Sequence, residues 1–466
     1  MQKVFKDNIT LDKRCYSNFN LSEDLLMEHA ANTIFLHIKQ QFYPKKNIVI
    51  VCGPGNNGAD GLALARLLHK TFQVSIYMPL EGKSEMSKLQ LKRTHAIGIV
   101  VIEKLPSFCD IIVDCLFGSG LNKSLEKNTE NIIRQMSSIK AYKIACDIPS
   151  GLNTAGNPDP VAFKADYTIT MGALKTALFN DNAKGYVGEI EVANLGVPRK
   201  LYEIPSNYYL LEKSDLELPI RIQKNSHKRT FGHLAVYAGE KEGAAIITGK
   251  TALNFGVGLV TLISKNKIDN DFQLMQDRSL PKQTTAIAIG MGLGNVYSDT
   301  EIIEIIDKTS TIIDADIFYS NALRKIILLE QQLVLTPHPK EFASLLKILN
   351  IDNLTSTKVQ ENRIALAEKF TNNFPKIVLL LKGANPIIAY QGNLYINNLG
   401  TPALSKAGSG DVLSGLIGAL LAQGHNALES TINASLAHTL ATENILKKQN
   451  NYSLTPSNLI ESIARL

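Results

Sequence analysis

The sequence predicts an α/β protein of two domains, each built on a parallel sheet with helices wound on both faces. Three observations carry that prediction. Short apolar runs such as NIVIVC (47–52) and TIIDAD (311–316) alternate with helix-length segments. Polar, glycine-rich clusters follow several of those runs, where a strand of such a sheet gives way to a helix. The chain of 466 residues also exceeds what one core usually serves, and a polar, proline-punctuated stretch near 204–230 interrupts the alternation. The boundary is placed there, giving domains 1–210 and 211–466.

The elements follow in order. Residues 22–39 place Leu26, Ala30, Ile34 and Ile38 at helical spacing, with Ser22 as the N-cap. NIVIVC reads as a buried strand and the residues from Gly58 as its helix. QVSIYM, a polar helix near 84–96, and IVVIE come next. DIIVDCLFGSGL (110–121) is a strand ending at Asp114, and KIACDIPSGL (143–152) one ending at Asp147. The second series begins with GHLAVYAG (232–239) and a small-residue helix near 243–256. It runs through LVTLIS, AIAIGMGLG (286–294), TIIDAD, LVLTPHPKEF (333–342) and KIVLLLKGANPIIAY (376–390). It closes on a loop feeding an apolar helix, KAGSGDVLSGLIGALLAQG (406–424).

Composition narrows the partners. Hydrophobic residues at 45% and charged residues at 20% are ordinary for a globular protein. A net charge of +6, spread along the chain, suits anionic small ligands and is no nucleic-acid footprint. The five cysteines, Cys15, Cys52, Cys109, Cys115 and Cys146, form no CxxC pair and several sit in apolar runs, as expected of reduced thiols. The N-terminus is polar and no window is apolar enough to cross a bilayer. A cytoplasmic protein without membrane partners is expected.

Three clusters in the first domain, NNGAD, DCLFGSG and DIPSG, fall at strand ends, where ligands of doubly wound sheets bind. In VCGPGNNGADGLALARLLHK the glycines at 53, 55, 58 and 61 supply backbone that tolerates positive φ, and asparagine tolerates it nearly as well. The N–H groups of the helix start suit an anion. Asp60 beside a phosphate needs an intervening donor or cation. The loop reads as a nucleotide site with a metal nearby, or as a capped tight turn. In the second domain Gly408, Ser409 and Gly410 open a helix with Asp411 in its first turn. Backbone N–H groups there can hold a transferring phosphoryl group, with Asp411 placed to take a proton from a hydroxyl. Asp411 can equally be a first-turn charge on the helix dipole. Lys382 in LKGANP suits phosphate contact, and His338 stands between two prolines in TPHPKE.

NNGADGLALARLL, DCLFGSGL and DIPSG resemble the loops of the NAD(P)HX epimerase family. TPHPKE, LKGANP and KAGSGDVLSG resemble those of the ADP-dependent NAD(P)HX dehydratases, members of the ribokinase-like superfamily. In this order, over nearly the whole chain, they resemble the prokaryotic bifunctional NAD(P)H-hydrate repair enzymes. The resemblance implies a Rossmann-like first domain that interconverts R and S hydrates of NADH and NADPH. It implies a ribokinase-like second domain that dehydrates the S form while ADP becomes AMP and phosphate.

It further implies that Asn56, Asn57, Gly58, Ala59 and Asp60 contact the hydrated cofactor, with Gly118, Ser119, Gly120, Leu121, Asn122, Lys123 and Ser124. Asn57, Asp114 and Ser150 are implied as potassium ligands, and Asp147 as a substrate contact and the acid/base of epimerisation. Lys175, in MGALKTAL, matches a lysine of the family whose role is open. In the second domain Ala244, Gly292, His338 and Asp411 are implied as hydrate contacts, with Asp411 the base. Lys382, Gly383, Ala384, Asn385, Pro386 and Gly410 are implied as contacts to ADP or AMP, with Mg²⁺ accompanying the diphosphate. A homo-oligomer is expected.

Ala59 replaces the usual second glycine of its loop, which costs about 1 kcal/mol if the position needs positive φ. Met291 and Ser409 replace a usual proline and threonine without removing a reacting group. Two rival readings remain at this point: a small-alcohol kinase of the ribokinase superfamily, and a first domain that senses a nucleotide without catalysis.

Overall fold

The computed structural model describes residues 1–120, 124–269 and 273–466, and the chain divides into two compact units. One comprises residues 3–206; the other comprises 207–466 with Met1 and Gln2.

In the first unit the strands are β1 (Gln2–Phe5, from Lys3 onward), β2 (Asn47–Cys52), β3 (Gln73–Tyr77), β4 (Val100–Ile102), β5 (Phe108–Cys115), β6 (Lys140–Cys146), β7 (Tyr167–Met171), β8 (Leu174–Lys175) and β9 (Glu189–Ala193). A seven-stranded sheet runs in the order β4-β3-β2-β5-β6-β7-β9. All of its pairs are parallel. Strand β1 pairs in parallel with β8, Val4 opposite Leu174.

Side chains of β2 alternate between two buried faces, as a strand's period of two requires. Ile48, Ile50 and Cys52 pack with Leu62 and Ala63 of helix Asn56–Leu68 and with Ile34 of helix Glu23–Gln41. Val49 and Val51 pack with Ile132, Ile133 and Met136 of helix Lys127–Ser138. Helices therefore cover both faces, and the winding direction reverses between β2 and β5. A crevice opens at such a reversal, beyond the carboxyl ends of the strands.

The second unit carries β10 (Tyr208–Leu210), β11 (His233–Tyr237), β12 (Leu259–Ile263), β13 (Met275–Asp277), β14 (Ala286–Ile289), β15 (Ser310–Ile313), β16 (Leu333–Leu335), β17 (Val378–Leu381), β18 (Ile387–Tyr390) and β19 (Asn393–Ile396). Their order is β13-β12-β11-β14-β15-β16-β17-β18-β19-β10. The run from β13 to β17 is parallel, and β17, β18 and β19 are joined antiparallel. The reversal here lies between β11 and β14. Helix Ser409–Ala422 is buried along nearly its whole length, packed between helices Glu242–Asn254 and Ala427–Leu446 and against the sheet. Its apolar and small residues fit it for burial on all sides.

The elements expected from the sequence are present, with end shifts of a few residues. Ser22 caps its helix, Leu25 N donating to its Oγ at 3.3 Å. The strand expected to stop at Asp114 continues through Cys115, and β6 stops at Cys146, one residue before Asp147. All five cysteines are buried and free. Among the described residues no helix is long and apolar enough to cross a membrane.

Candidate active sites

In the first unit the loops after β2, β5 and β6 meet at the reversal point. They enclose, with the first two helices, a cavity of about 580 Å³ lined by Asn56, Asn57, Asp60, Gly118, Ser119, Gly120 and Asp147, among others. Gly58 and Ala59 lie in the buried first turn behind this wall. Ser124 is exposed, donates to Asp159 at 3.2 Å, and is not among the lining residues. Leu121, Asn122 and Lys123 lie outside the described residues.

The expectation that the NNGAD loop needs positive φ is overturned. Helix Asn56–Leu68 already includes Asn57 to Asp60, and none of Gly53, Gly55, Gly58 and Gly61 has positive φ. The reason for glycine is close approach: a Cβ on Gly58 would sit 2.0 Å from the Gly53 carbonyl oxygen. Ala59 is helical and fully buried, so its methyl carries no backbone strain.

Asp147 has φ 70°, an uncommon conformation for a residue with a Cβ. Its carboxylate holds it there. Oδ1 accepts from Lys175 Nζ at 2.6 Å and Met171 N at 3.2 Å, and Oδ2 from Ser119 N at 3.0 Å. Burial alone pushes this carboxyl up, but the Lys175 charge and the N–H donors together hold it below its ordinary value. Asp60 behaves oppositely. Desolvation, then repulsion from Asp147, Asp12 and Glu23, drives it well above the ordinary carboxyl range, against the Lys175 charge.

Beside the cavity, Ser150 donates twice to Asp114, from Oγ to Oδ1 and from N to Oδ2, both at 2.7 Å. Burial pushes the Asp114 carboxyl up to about 6 although these bonds pull it down. Both polar atoms of the Asn57 side chain are buried without a hydrogen-bond partner. A fully buried carboxylate with only neutral donors and an orphaned amide form an oxygen-rich set that fits a hard monovalent cation.

Sequence reasoning missed the helix wall of this cavity. Asn8, Asp12 and Tyr16 of helix Ile9–Asn18 and its flank line it, as does Glu23, which accepts from the Asn56 side chain. Their spacing along a polar helix carries no motif; only the tertiary fold brings them to the loops.

In the second unit the strand-end loops again converge. Gly292, after β14, has φ 60°, and a Cβ there would lie 3.4 Å from Ala244 Cβ, so these two expected contacts stand together at the reversal. Gly408 is left-handed, φ 86°, and turns the chain into helix Ser409–Ala422. A Cβ on the next expected contact, Gly410, would be 3.8 Å from both Lys382 Nζ and Asp314 Oδ2.

Lys382 Nζ donates to Asp314 Oδ1 at 2.7 Å and lies 3.8 Å from Glu341 Oε2. Ser414 Oγ donates to Asp314 Oδ2 at 3.0 Å. Desolvation would lower Lys382, but Asp314, Glu341 and Asp411 outweigh it and keep the ammonium charged. Burial, then the Asp314 charge, lifts Asp411 to about 6, partly offset by Lys382.

The loop Lys382–Pro386 is tethered from below by Arg363, which is fully buried. Its guanidinium donates to the carbonyls of Leu381, Lys382 and Asn385 at 3.1, 2.9 and 3.2 Å. Gly383 and Ala384 are exposed at its tip, Asn385 is buried, and the Pro386 carbonyl accepts from Asn397 N at 2.9 Å. His338 caps helix Pro339–Ile348: Nδ1 accepts from Lys340 N and Glu341 N, and Nε2 lies 3.0 Å from Glu341 Oε1. Its ring is thereby fixed and remains partly exposed. Asp314 and Arg363 were not singled out in the sequence. Asp314 was legible as an acid at a strand end; Arg363, in mid-chain among helical residues, gave no signal.

Comparisons with known proteins bear on both units. The NAD(P)H-hydrate dehydratase family (Carb_kinase) matches residues 234–465, and the YjeF-related protein N-terminus family matches residues 23–177. The bifunctional NAD(P)H-hydrate repair enzyme Nnr of Helicobacter pylori is 42% identical, covering 100% of both chains. That of Dictyoglomus turgidum is 30% identical over 97% of this chain and 95% of its own. A solved structure, the ADP/ATP-dependent NAD(P)H-hydrate dehydratase of Bacillus subtilis co-crystallised with ATP and Mg²⁺, is 25% identical with a TM-score of 0.44, covering 53% of this chain and 92% of that one. With such identity over its whole length, the chain belongs to the family of bifunctional NAD(P)H-hydrate repair enzymes.

Proposed function

We propose that the two sites repair hydrated NADH and NADPH in sequence. The first unit interconverts the R and S hydrates, and the second dehydrates the S form at the expense of ADP. The observation that carries this reading is Asp411. A carboxyl lifted to about 6 stands in the first turn of a helix whose N–H groups open beside a charged lysine. That combination takes a proton near neutral pH and stabilises a transferring phosphoryl group.

In the second unit, Asp411 takes the proton of the C6 hydroxyl, and the oxygen attacks the β-phosphorus of ADP. The bond to AMP breaks, so AMP departs. The phosphorylated oxygen then leaves C6 as phosphate while a proton leaves C5, restoring the ring double bond. Gly408 and Gly410 offer N–H groups to the phosphoryl oxygens, that of Ser409 being held by the Lys406 carbonyl at 3.2 Å, and Lys382 adds positive charge beside them. The loop Lys382–Pro386 holds the adenine nucleotide, while Ala244, Gly292 and His338 hold the hydrate. Magnesium, when bound with the diphosphate, would offset part of its charge.

In the first unit Asn56 to Asp60, Gly118 to Ser124 and Asp147 contact the hydrate, and Asp147 is the proton acceptor. Potassium, when bound, would supply positive charge near the anionic cofactor. Asn57, Asp114 and Ser150 would hold it. Replacing potassium with choline is expected to slow epimerisation and leave dehydration of pure S hydrate unchanged; equal loss of both would remove this assignment. We place the domains at 1–210 and 211–466, in a cytoplasmic homo-oligomer without nucleic-acid partners.

Incubation of the protein with mixed R and S hydrates plus ADP, or plus ATP, tests the whole reading. Complete recovery of NADH absorbance is expected. An R residue left untouched would remove the epimerase assignment, and a stable phosphorylated product would return the kinase reading.

A further inference from the structure

Lys175 is fully buried, where an ammonium is costly unless its charge and donors are met. Here they are. Besides Asp147 Oδ1 at 2.6 Å, Nζ donates to Thr170 Oγ1 and the Met171 carbonyl, both at 3.0 Å, with the Ala173 carbonyl at 3.4 Å. Strands β7 and β8, joined by a turn at Gly172 with φ 70°, put these acceptors around one point. A structural ion pair could sit anywhere in the core. This one ends on a carboxylate of the cavity wall that also has a left-handed backbone.

The two oxygens of Asp147 are thereby made different. Oδ1 is enclosed by Lys175, the Met171 N–H and, at 3.4 Å, Thr170 Oγ1. Oδ2 lies on the side of the Gly118–Ser119 loop, which lines the cavity; a Cβ on Gly118 would be 2.9 Å from it.

Resting on the epimerase reading above, we infer that Lys175 is a positioning residue for epimerisation. It acts through Asp147, fixing Oδ1 and keeping the carboxylate an anion that presents Oδ2 to the hydrate. The electrostatics agree in direction, since the Lys175 charge is the largest influence opposing the effect of burial on Asp147. Among the described residues Asp12, Asp60 and Cys146 also feel the Asp147 charge, with Tyr16 and Glu23 lining the same cavity, and none of these is a cation. Without Lys175 only the Ser119 and Met171 N–H groups would oppose the upward push of burial on Asp147.

The test measures kcat/KM of epimerisation against pH for the wild type, Lys175→Gln, Lys175→Met and Lys175→Arg. Each is repeated in an Asp147→Asn background. The neutral variants are expected to slow epimerisation on the order of 10²-fold and to move the acidic limb of the profile upward. Lys175→Arg, which keeps the charge, is expected to leave the limb near its original place even where its size slows the reaction. In the Asp147→Asn background the same changes are expected to add no further loss. An unmoved limb in Lys175→Gln, or losses that multiply with that of Asp147→Asn, overturns the inference. Should Lys175→Met fail to fold, the Gln and Arg pair decides alone. Wild-type epimerisation by Asp147→Asn itself would instead overturn the reading on which the inference rests.

Discussion

The two sites are made of the same parts wired differently. Each sits where the winding of its own sheet reverses, and each joins a lysine to a buried carboxyl. In the first unit the lysine bonds directly to the proposed catalytic carboxylate, Asp147, and holds it below its ordinary value. In the second unit the lysine bonds to a neighbour, Asp314, whose charge helps lift Asp411 to about 6. At Asp147 the lysine charge opposes the effect of burial directly, whereas at Asp411 burial, then the Asp314 charge, outweighs the lysine. Proton transfer by a side chain is most efficient when its pKa lies near the working pH. Asp411 meets that condition, whereas Asp147 is held below its ordinary value in a cavity where burial pushes Asp60 up.

This contrast can be broken by substitution. The largest effect is expected from Asp411→Asn, which should lower dehydration of the S hydrate by on the order of 10³-fold or more, with R/S exchange unchanged. Loss of both activities would mean the units do not work independently. Asp147→Asn should do the converse, slowing epimerisation roughly 10²-fold while S hydrate plus ADP is still repaired at the normal rate.

Asp314→Asn sharpens the comparison rather than breaking it. Removing that negative charge should let the Asp411 pKa fall, so the acidic limb of dehydration moves to lower pH. The rate should drop about tenfold as a weaker base takes over and Lys382 loses its anchor. A limb that moves upward would contradict the wiring described. The smallest effect is expected at Ala59. Since the residue is helical and buried, Ala59→Gly should destabilise the first unit by about 0.5–1 kcal/mol, read in thermal or urea unfolding, instead of relieving strain.

Much of this was legible in the sequence for a definite reason. Strand, loop and helix are local, and in doubly wound sheets the ligand site follows from where strands end, so NNGAD, DCLFGSG, DIPSG and GSGD pointed to both crevices. What was illegible is what depends on distance in space. The bond from Lys175 to Asp147 depends on a turn at Gly172 that swings the ammonium onto a residue 28 positions earlier. Asp12 reaches the first cavity only because its helix folds over the loops. Arg363 acts through three carbonyls of a loop that follows it in the chain. Ala59 misled because glycine-rich loops suggest positive φ, whereas here the crowding of Gly58 against Gly53 dictated the residue type.

The most direct test follows both half-reactions against pH on one preparation of the wild-type chain, as initial kcat/KM values. Dehydration is expected to fall off below about pH 6, following Asp411. Loss of the Asp147 acceptor is expected only below the ordinary carboxyl range. A common acidic limb for both reactions, or the reverse order of the two, would contradict these assignments.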